Sequence, residues 1–251
     1  VMTEKRRVDA LLVEQGLVDS RTKAQALILA GRVFMGESRL DKPGHSIASD
    51  ITLTVRGDEH PWVSRGGIKL AHGLEHFGID AADRTCLDIG ASTGGFTDVL
   101  LQANARKVFA VDVGRGQLDW KLRNDTRVQV LEGVNARYLD ASAIPQAPSL
   151  IVCDASFIGL EPLLPAALSL AEPSATLIAL IKPQFEVGKG RVGKGGVVRD
   201  PALHKEVCDR IRSWLGDTMG WKVQGISESP VTGPKGNKEF LIAARLDSRP
   251  E

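Results

Sequence analysis

The sequence predicts an α/β fold: an open, mostly parallel sheet with helices on both faces, preceded by a small α+β module. Three observations carry this. From about residue 66 onward, strand-length apolar runs alternate with helical patterns, the mark of a parallel sheet covered on both sides. The last two runs are separated only by the turn-rich stretch "PVTGPKGN", which predicts an antiparallel pair. The first 59 residues follow a different rhythm, with two short helical stripes and then two brief β-type runs.

In chain order, "RRVDALLVEQG" places Val8, Leu11 and Leu12 at helical spacing and stops at Gly16. Ser20 caps a second helix whose stripe is Ala24, Leu27 and Ile28. "RVFM" and "DITLTV" follow on either side of a loop holding Pro43 and Gly44. Residues 60–65, "HPWVSR", read as a linker in which Trp62 packs between domains or against a base. Residues 66–251 then form the larger domain. Its helix "GGIKLAHGLEHF" leads into the strands "TCLDIG", "KVFAVDV", "RVQVLEG", "SLIVCD" and "TLIALI", and finally "WKVQGISES" and "EFLIAARL". A parallel sheet closed by an antiparallel last strand resembles the Rossmann-like methyltransferase architecture.

Bulk properties exclude several functions. At 251 residues and 43% hydrophobic content the chain can bury a real core. No run approaches the roughly 18 apolar residues of a membrane span, and "VMTEKRRVDALLVEQG" lacks the apolar segment of a secretory signal. Cys86, Cys153 and Cys208 are odd in number and lack metal-type spacing, so a reducing cytoplasm and no metal are expected. With a net charge of +1, a nucleic-acid partner has to be argued from local patches.

The stretch "CLDIGASTGGFTDVLL" places Asp88 near a strand end and a turn at Gly90, Gly94 and Gly95 ahead of a helix opening with Phe96 and Thr97. Glycines there permit positive φ and close approach of backbone to ligand. Three residues separate the first two glycines, so this is not the dinucleotide pattern G-x-G-x-x-G. The next strand ends on Asp112, where a carboxylate can bind ribose hydroxyls, and Asn135 follows the third strand. With no pyrophosphate to cradle, S-adenosylmethionine suits this turn better than NAD.

In a parallel sheet, chemistry gathers at the carboxyl ends of the strands. Asp154 ends the fourth strand and Lys182 the fifth, immediately before Pro183. Glu239 begins the antiparallel strand, which starts where its neighbours end, and Lys69 opens the helix leading back to the first strand. Two lysines and two carboxylates are thus expected on one rim, shifting and holding one another. Lys182 would stabilise the charge on a weakly acidic hydroxyl or accept its proton, and Lys69 would orient the hydroxyl or complete the network.

The motifs "VSRGGIKL", "LDIGASTGGFTDVLL", "VCDASFIGLEPLLP", "LIKPQFEVGKGRVGKGGVVRD" and "GNKEFLIA" resemble the TlyA family of ribosomal RNA 2′-O-methyltransferases, within the wider FtsJ-like group. That resemblance implies a catalytic Lys-Asp-Lys-Glu tetrad on Lys69, Asp154, Lys182 and Glu239, with S-adenosylmethionine on the glycine turn and Asp112. It also implies cytidines of ribosomal RNA as targets and ribosomal subunits as partners.

The N-terminal segment resembles the αL (S4-like) RNA-binding module of the fourth small-subunit ribosomal protein. Arg7, Asp9, Leu11, Gly16, Ser20, Arg21, Ala24, Ile28, Gly31, Val33, Asp50, Ile51 and Val55 fit its pattern, and Met35-Gly36 replaces the usual Asn-Gly. RNA contacts are expected from Arg6, Arg7, Arg21, Lys23 and Arg32. A second basic patch, with Lys189, Arg191 and Lys194 in a glycine-rich loop beside the active rim, would meet the RNA backbone. Two other readings stand beside this one. One is a ribosome-binding or assembly factor with a vestigial methyltransferase fold; the other is a cytolysin, after the hemolysin names family members often carry.

Overall fold

The computed structural model describes residues 5–18, 20–29, 31–55, 60–188 and 190–247. The chain divides into two compact units at Pro61 and Trp62.

In the first unit, helices α1 (Val8–Glu14) and α2 (Arg21–Leu29) pack beside five very short strands. Strands β1 (Lys5–Arg7) and β4 (Ser46–Ala48) pair antiparallel, and β2 (Val33–Met35) lies between β3 (Ser38–Arg39) and β5 (Leu53–Val55). The two runs expected as strands are β2 and β5. Strands β1, β3 and β4 are additional, since two or three residues carry no legible alternation. Gly36 takes φ +58 in the two-residue turn between β2 and β3, which explains why glycine is kept there while Met35 replaces asparagine. The core holds Val8, Leu11, Leu12, Ala24, Ile28 and Val33.

The second unit is a sheet of seven strands in the order β11-β12-β10-β9-β6-β7-β8. These are β6 (Thr85–Ile89), β7 (Lys107–Asp112), β8 (Val128–Glu132), β9 (Leu150–Cys153), β10 (Thr176–Ile181), β11 (Trp221–Glu228) and β12 (Phe240–Leu246). Strand β12 runs antiparallel to both its neighbours, β10 and β11. Helix α3 (Gly66–Phe77) precedes the sheet and α4 (Gly95–Gln102) follows β6. Short helices α5 (Trp120–Arg123), α6 (Leu160–Leu163), α7 (Pro165–Ser169) and α8 (Pro183–Glu186) fill the crossovers, and α9 (Pro201–Ser213) precedes β11.

Two apolar clusters, one on each face, sandwich the sheet. Helices α3 and α4 pack with Ile178, Leu241 and Ala243 on one face, while α9 packs with Ile242 and Ala244 on the other. After β6 the chain winds outward to β7 and β8, then returns to place β9 on the other side of β6. The carboxyl ends of β6 and β9 therefore flank the topological switch point, where open α/β sheets form a ligand crevice. Trp62 and Val63, within the expected linker, pack against the α3 cluster, and Val63 N–H donates to Asp98 at 2.9 Å. All three cysteines are buried and free, and burial pushes the Cys86 and Cys153 thiols up to about 12 and that of Cys208 up to about 11. Among the described residues no helix is long and apolar enough to cross a membrane.

Candidate active site

Two cavities open at the switch point. The larger, about 530 Å³, is walled by Gly90, Ser92, Asp112, Gln117, Asn135 and Phe157 among others. The smaller, about 220 Å³, takes in Ser64, Lys69, Gly95, Phe96 and Lys182. Gly90, Ser92, Asp154 and Ser156 line both, so the two spaces meet at the ends of β6 and β9.

The turn after β6 is shaped by close packing. Gly90 has φ +81, and a Cβ there would lie 2.9 Å from the Asp154 carbonyl oxygen. Gly94 has φ +100, and its Cβ would come within 2.2 Å of a Leu122 methyl group. It lines neither cavity and instead lets the turn close on α5. Gly95 faces Ser64 and the first turn of α3, where a Cβ would meet Ser64 Oγ at 2.3 Å. Asp112 accepts from Ser92 N–H at 2.8 Å and Gly114 N–H at 2.7 Å, which fixes its carboxylate at the cavity wall with lone pairs to spare. Asn135 lies opposite on the same wall, its side-chain oxygen capping Arg137 N–H at 3.1 Å.

Asp88 and Thr97 lie beneath this turn rather than on its surface. Asp88 is completely buried, and its Oδ2 accepts from Thr97 Oγ1 at 2.7 Å. Burial pushes the Asp88 carboxyl up to about 7, opposed by the Thr97 bond and reinforced by the charge of Asp154. The pair ties the end of β6 to the first turn of α4.

The four ionisable residues expected on the rim do converge. Lys69 Nζ donates to Glu239 Oε2 at 2.6 Å and lies 3.9 Å from Asp154 Oδ2. Lys182 Nζ sits 2.5 Å from Asp154 Oδ1, held by charge rather than by a well-directed hydrogen bond, and donates to Ser156 Oγ at 3.0 Å. Lys69, Lys182 and Glu239 are buried and Asp154 is partly open. Gln184 Nε2 reaches Glu239 Oε1 at 3.5 Å. The set is two cations and two anions, so charges that would be costly to bury singly are matched.

Ser64, Ser92, Gln117, Ser156 and Phe157 belong to these walls, Gln184 reaches Glu239 beside them, and none was singled out from sequence. Ser156 and Gln184 lie two residues beyond Asp154 and Lys182, a proximity that would have found them. Phe157 is 90% exposed with φ +67, a conformation bulky residues rarely adopt.

The expected RNA contacts divide. In the first unit Arg7 and Arg21 share the buried Asp9, with Arg7 NH2 at 2.9 Å and Arg21 NH2 at 3.2 Å from its Oδ2. Those guanidiniums hold its carboxyl well below the usual range. Arg6 lies 3.5 Å from Glu14, Lys23 is exposed and Arg32 is partly buried. In the second unit Arg191 is clamped bidentately by Glu206 at 2.5 and 2.7 Å, while Lys194 is exposed. Lys189 lies outside the described residues. The glycine-rich loop is anchored: Val198 N–H donates to Asn237 Oδ1 at 3.1 Å and Lys235 Nζ to Gly195 O at 2.9 Å.

Comparison with known proteins agrees with this geometry. The family described as FtsJ-like methyltransferase matches residues 62–246, and the S4 domain matches residues 6–49. The chain is 49% identical to the 16S/23S rRNA (cytidine-2′-O)-methyltransferase TlyA of Mycobacterium tuberculosis, over 98% of this chain and 92% of that protein. It is 47% identical to YqxC of Bacillus subtilis, over 96% of this chain and 85% of that protein. A solved structure from Streptococcus thermophilus, of a chain described as a hemolysin, superposes with a TM-score of 0.77 at 41% identity, covering 100% of this chain and 91% of that one. The chain belongs to the TlyA family of FtsJ-like methyltransferases, with an S4 domain ahead of its catalytic sheet.

Proposed function

We propose that the chain transfers a methyl group from S-adenosylmethionine to the ribose 2′-hydroxyl of a cytidine in ribosomal RNA, in the cytoplasm, with ribosomal subunits as partners. The observation that carries this reading is the matched Lys69, Glu239, Asp154 and Lys182 set at the junction of the two cavities. The larger cavity fits the cofactor. Its volume of about 530 Å³ lies within the range of small-molecule sites, and the Asp112 carboxylate is presented for a ribose diol. Asp112, Asn135 and the Gly90 turn would hold the cofactor, with Asp88 and Thr97 supporting the turn from below. When bound, the cofactor supplies a sulfonium methyl already activated for transfer.

The protein's task is then to position the hydroxyl and stabilise charge on its oxygen. Asp154 and Ser156 aim the Lys182 ammonium into the space shared by the cavities. There it donates to the 2′-oxygen as the hydroxyl proton passes to solvent, a pre-set electrostatic contribution that needs no rearrangement. Lys69, fixed by Glu239, orients the hydroxyl from the other side of Asp154.

The test is transfer of labelled methyl to ribosomal subunits from cells lacking this protein, with wild type and Lys182→Ala in parallel. Label on ribose with wild type, and a loss of about 10²-fold or more in the variant with cofactor affinity unchanged, is expected. No label with wild type, despite cofactor binding, would favour the assembly-factor reading. Equal loss of methyl transfer and cofactor binding in Lys182→Ala would make Lys182 structural.

A further inference from the structure

Across the sheet from the tetrad lies another cavity, of about 440 Å³, that the methyl-transfer reading does not use. It sits between α9 and the outer strands β11 and β12. Its exposed wall carries Arg199, Lys205, Arg212 and Lys238, and its apolar part includes the half-buried Ile226 and Phe240.

The charges are not all spoken for. Lys205 pairs with Asp209 one turn along α9, and Lys238 lies 3.0 Å from Glu228. Among the described residues Arg199 and Arg212 have no ion-pair partner, so two guanidiniums face the cavity unmatched. The aromatic surface beside them is braced. The Phe240 ring lies 5.5 Å from the ring of His204, whose Nε2 bonds to the Val198 carbonyl at 2.9 Å. A fixed aromatic face next to unmatched guanidiniums is the combination that binds one unpaired nucleotide, the base by stacking and the phosphate by charge.

Position strengthens the reading. Phe240 directly follows Glu239, and strand alternation sends the two side chains to opposite faces of the sheet. Glu239 meets Lys69 on the α3 face, while Phe240 meets His204 on the α9 face. The cavity therefore stands at the same strand end as the tetrad, with Glu239 immediately before the first residue of β12.

We propose that this cavity is a secondary RNA subsite that takes a single-stranded nucleotide near the methylated one, its base against Phe240 and Ile226 and its phosphate on Arg199 and Arg212. The inference rests on the RNA-methyltransferase reading, and the experiment separates the two. The full chain is titrated with a short fluorescein-labelled oligocytidylate, and a 4-thiouridine-substituted strand is cross-linked and the peptide mapped. Wild type should cross-link at the peptide bearing Phe240. Phe240→Leu should weaken binding about fivefold or more, the loss of one stacking contact. Arg199→Gln with Arg212→Gln should lower the slope of log affinity against log salt by about 0.7, the one phosphate of the subsite on a single strand.

Several results would overturn the proposal: cross-links confined to the first unit, no oligonucleotide binding by wild type, unchanged affinity and slope in the variants, or competition by polyglutamate as strong as by RNA. Methyl transfer to ribosomal subunits is read separately. A wild type that cross-links at Phe240 but transfers no methyl leaves the subsite standing and removes only the catalytic reading.

Discussion

Breaking the Lys69 and Glu239 pair from each side should give unequal costs, because the two residues have different reserves. Lys69→Met leaves Glu239 fully buried with, among the described residues, Gln184 Nε2 at 3.5 Å as its remaining side-chain donor. Glu239→Gln leaves Lys69 with a second carboxylate oxygen, Asp154 Oδ2, at 3.9 Å. Removing one member of a buried ion pair costs about 3–5 kcal/mol. Lys69→Met should fall near the upper figure and Glu239→Gln at or below the lower. For a unit of this size that corresponds to Tm losses of about 10–20 °C and about 6–12 °C. The double variant removes both charges and should cost less than the sum of the two, a coupling of about 2 kcal/mol or more, yet remain inactive. Trp62, Trp120, Trp214 and Trp221 all belong to the second unit, so tryptophan fluorescence follows its unfolding without interference from the first. Additive costs would show that the pair is not energetically coupled in solution. A double variant that methylates normally would remove Lys69 and Glu239 from the mechanism.

Three further outcomes are expected. Asp88 has a carboxyl raised to about 7 from the ordinary 3.8 by burial, so the folded state holds its proton more tightly than the unfolded chain does. Its contribution to stability is complete below about pH 4 and is lost as pH rises through about 7, on the order of 4 kcal/mol. Asp88→Asn should therefore gain stability relative to wild type across that window in urea midpoints, and a difference flat with pH would contradict the assignment. Gly90→Ala forces a side chain into φ +81 and to 2.9 Å from the Asp154 carbonyl oxygen. With about 1–2 kcal/mol of backbone strain alone, it should weaken S-adenosylhomocysteine binding about tenfold or more by calorimetry. An unchanged Kd would mean that the cofactor does not use this turn. In the first unit, Arg7→Gln should lower the hydrogen-exchange protection of α1, since Asp9 is buried and Arg7 makes two of its bonds. Asp9 has a depressed folded pKa, so this contribution exists above the unfolded carboxylate range and disappears as pH falls through the folded value. A variant difference that persists in strong acid would refute it.

The parts of the site legible in the sequence were those fixed by topology. Strand ends in a parallel sheet share one rim, so Asp154 and Lys182 could be brought together from their strands, and the antiparallel β12 added Glu239 from a position 170 residues beyond Lys69. What the sequence did not show depends on which way a side chain turns. Gly94 reads as a ligand-facing glycine, but Leu122 presses against it and it lines neither cavity, while Gly95 lines the smaller cavity and is also packed against Ser64. Arg7, Arg21 and Arg191 read as a basic surface; Arg7 pairs with Asp9 two residues on, while the folded chain brings Arg21 to Asp9 and Arg191 to Glu206. Charge counted along a sequence cannot distinguish a cation waiting for phosphate from one already neutralised. Arg199 and Arg212 are the opposite case, one just before α9 and the other in its last turn, and both reach the same cavity wall.

The placement of a lysine immediately before Pro183 follows from two constraints acting on one residue. Pro183 opens α8 with its missing N–H where no hydrogen bond is needed, so the chain turns sharply at the rim. The residue before a proline is held extended, and Lys182 has φ −113 and ψ 97. Its backbone is thus fixed by β10 on one side and by Pro183 on the other, and its long side chain ends on Asp154 and Ser156. A lysine on an ordinary loop would spend rotamer freedom to reach that point each time the site formed. Placed here, much of that ordering is built into the fold, and the ammonium stands ready where negative charge must develop. Asp154 completes the arrangement because it lines both cavities, so the group that aims Lys182 also forms the wall between the donor and acceptor spaces.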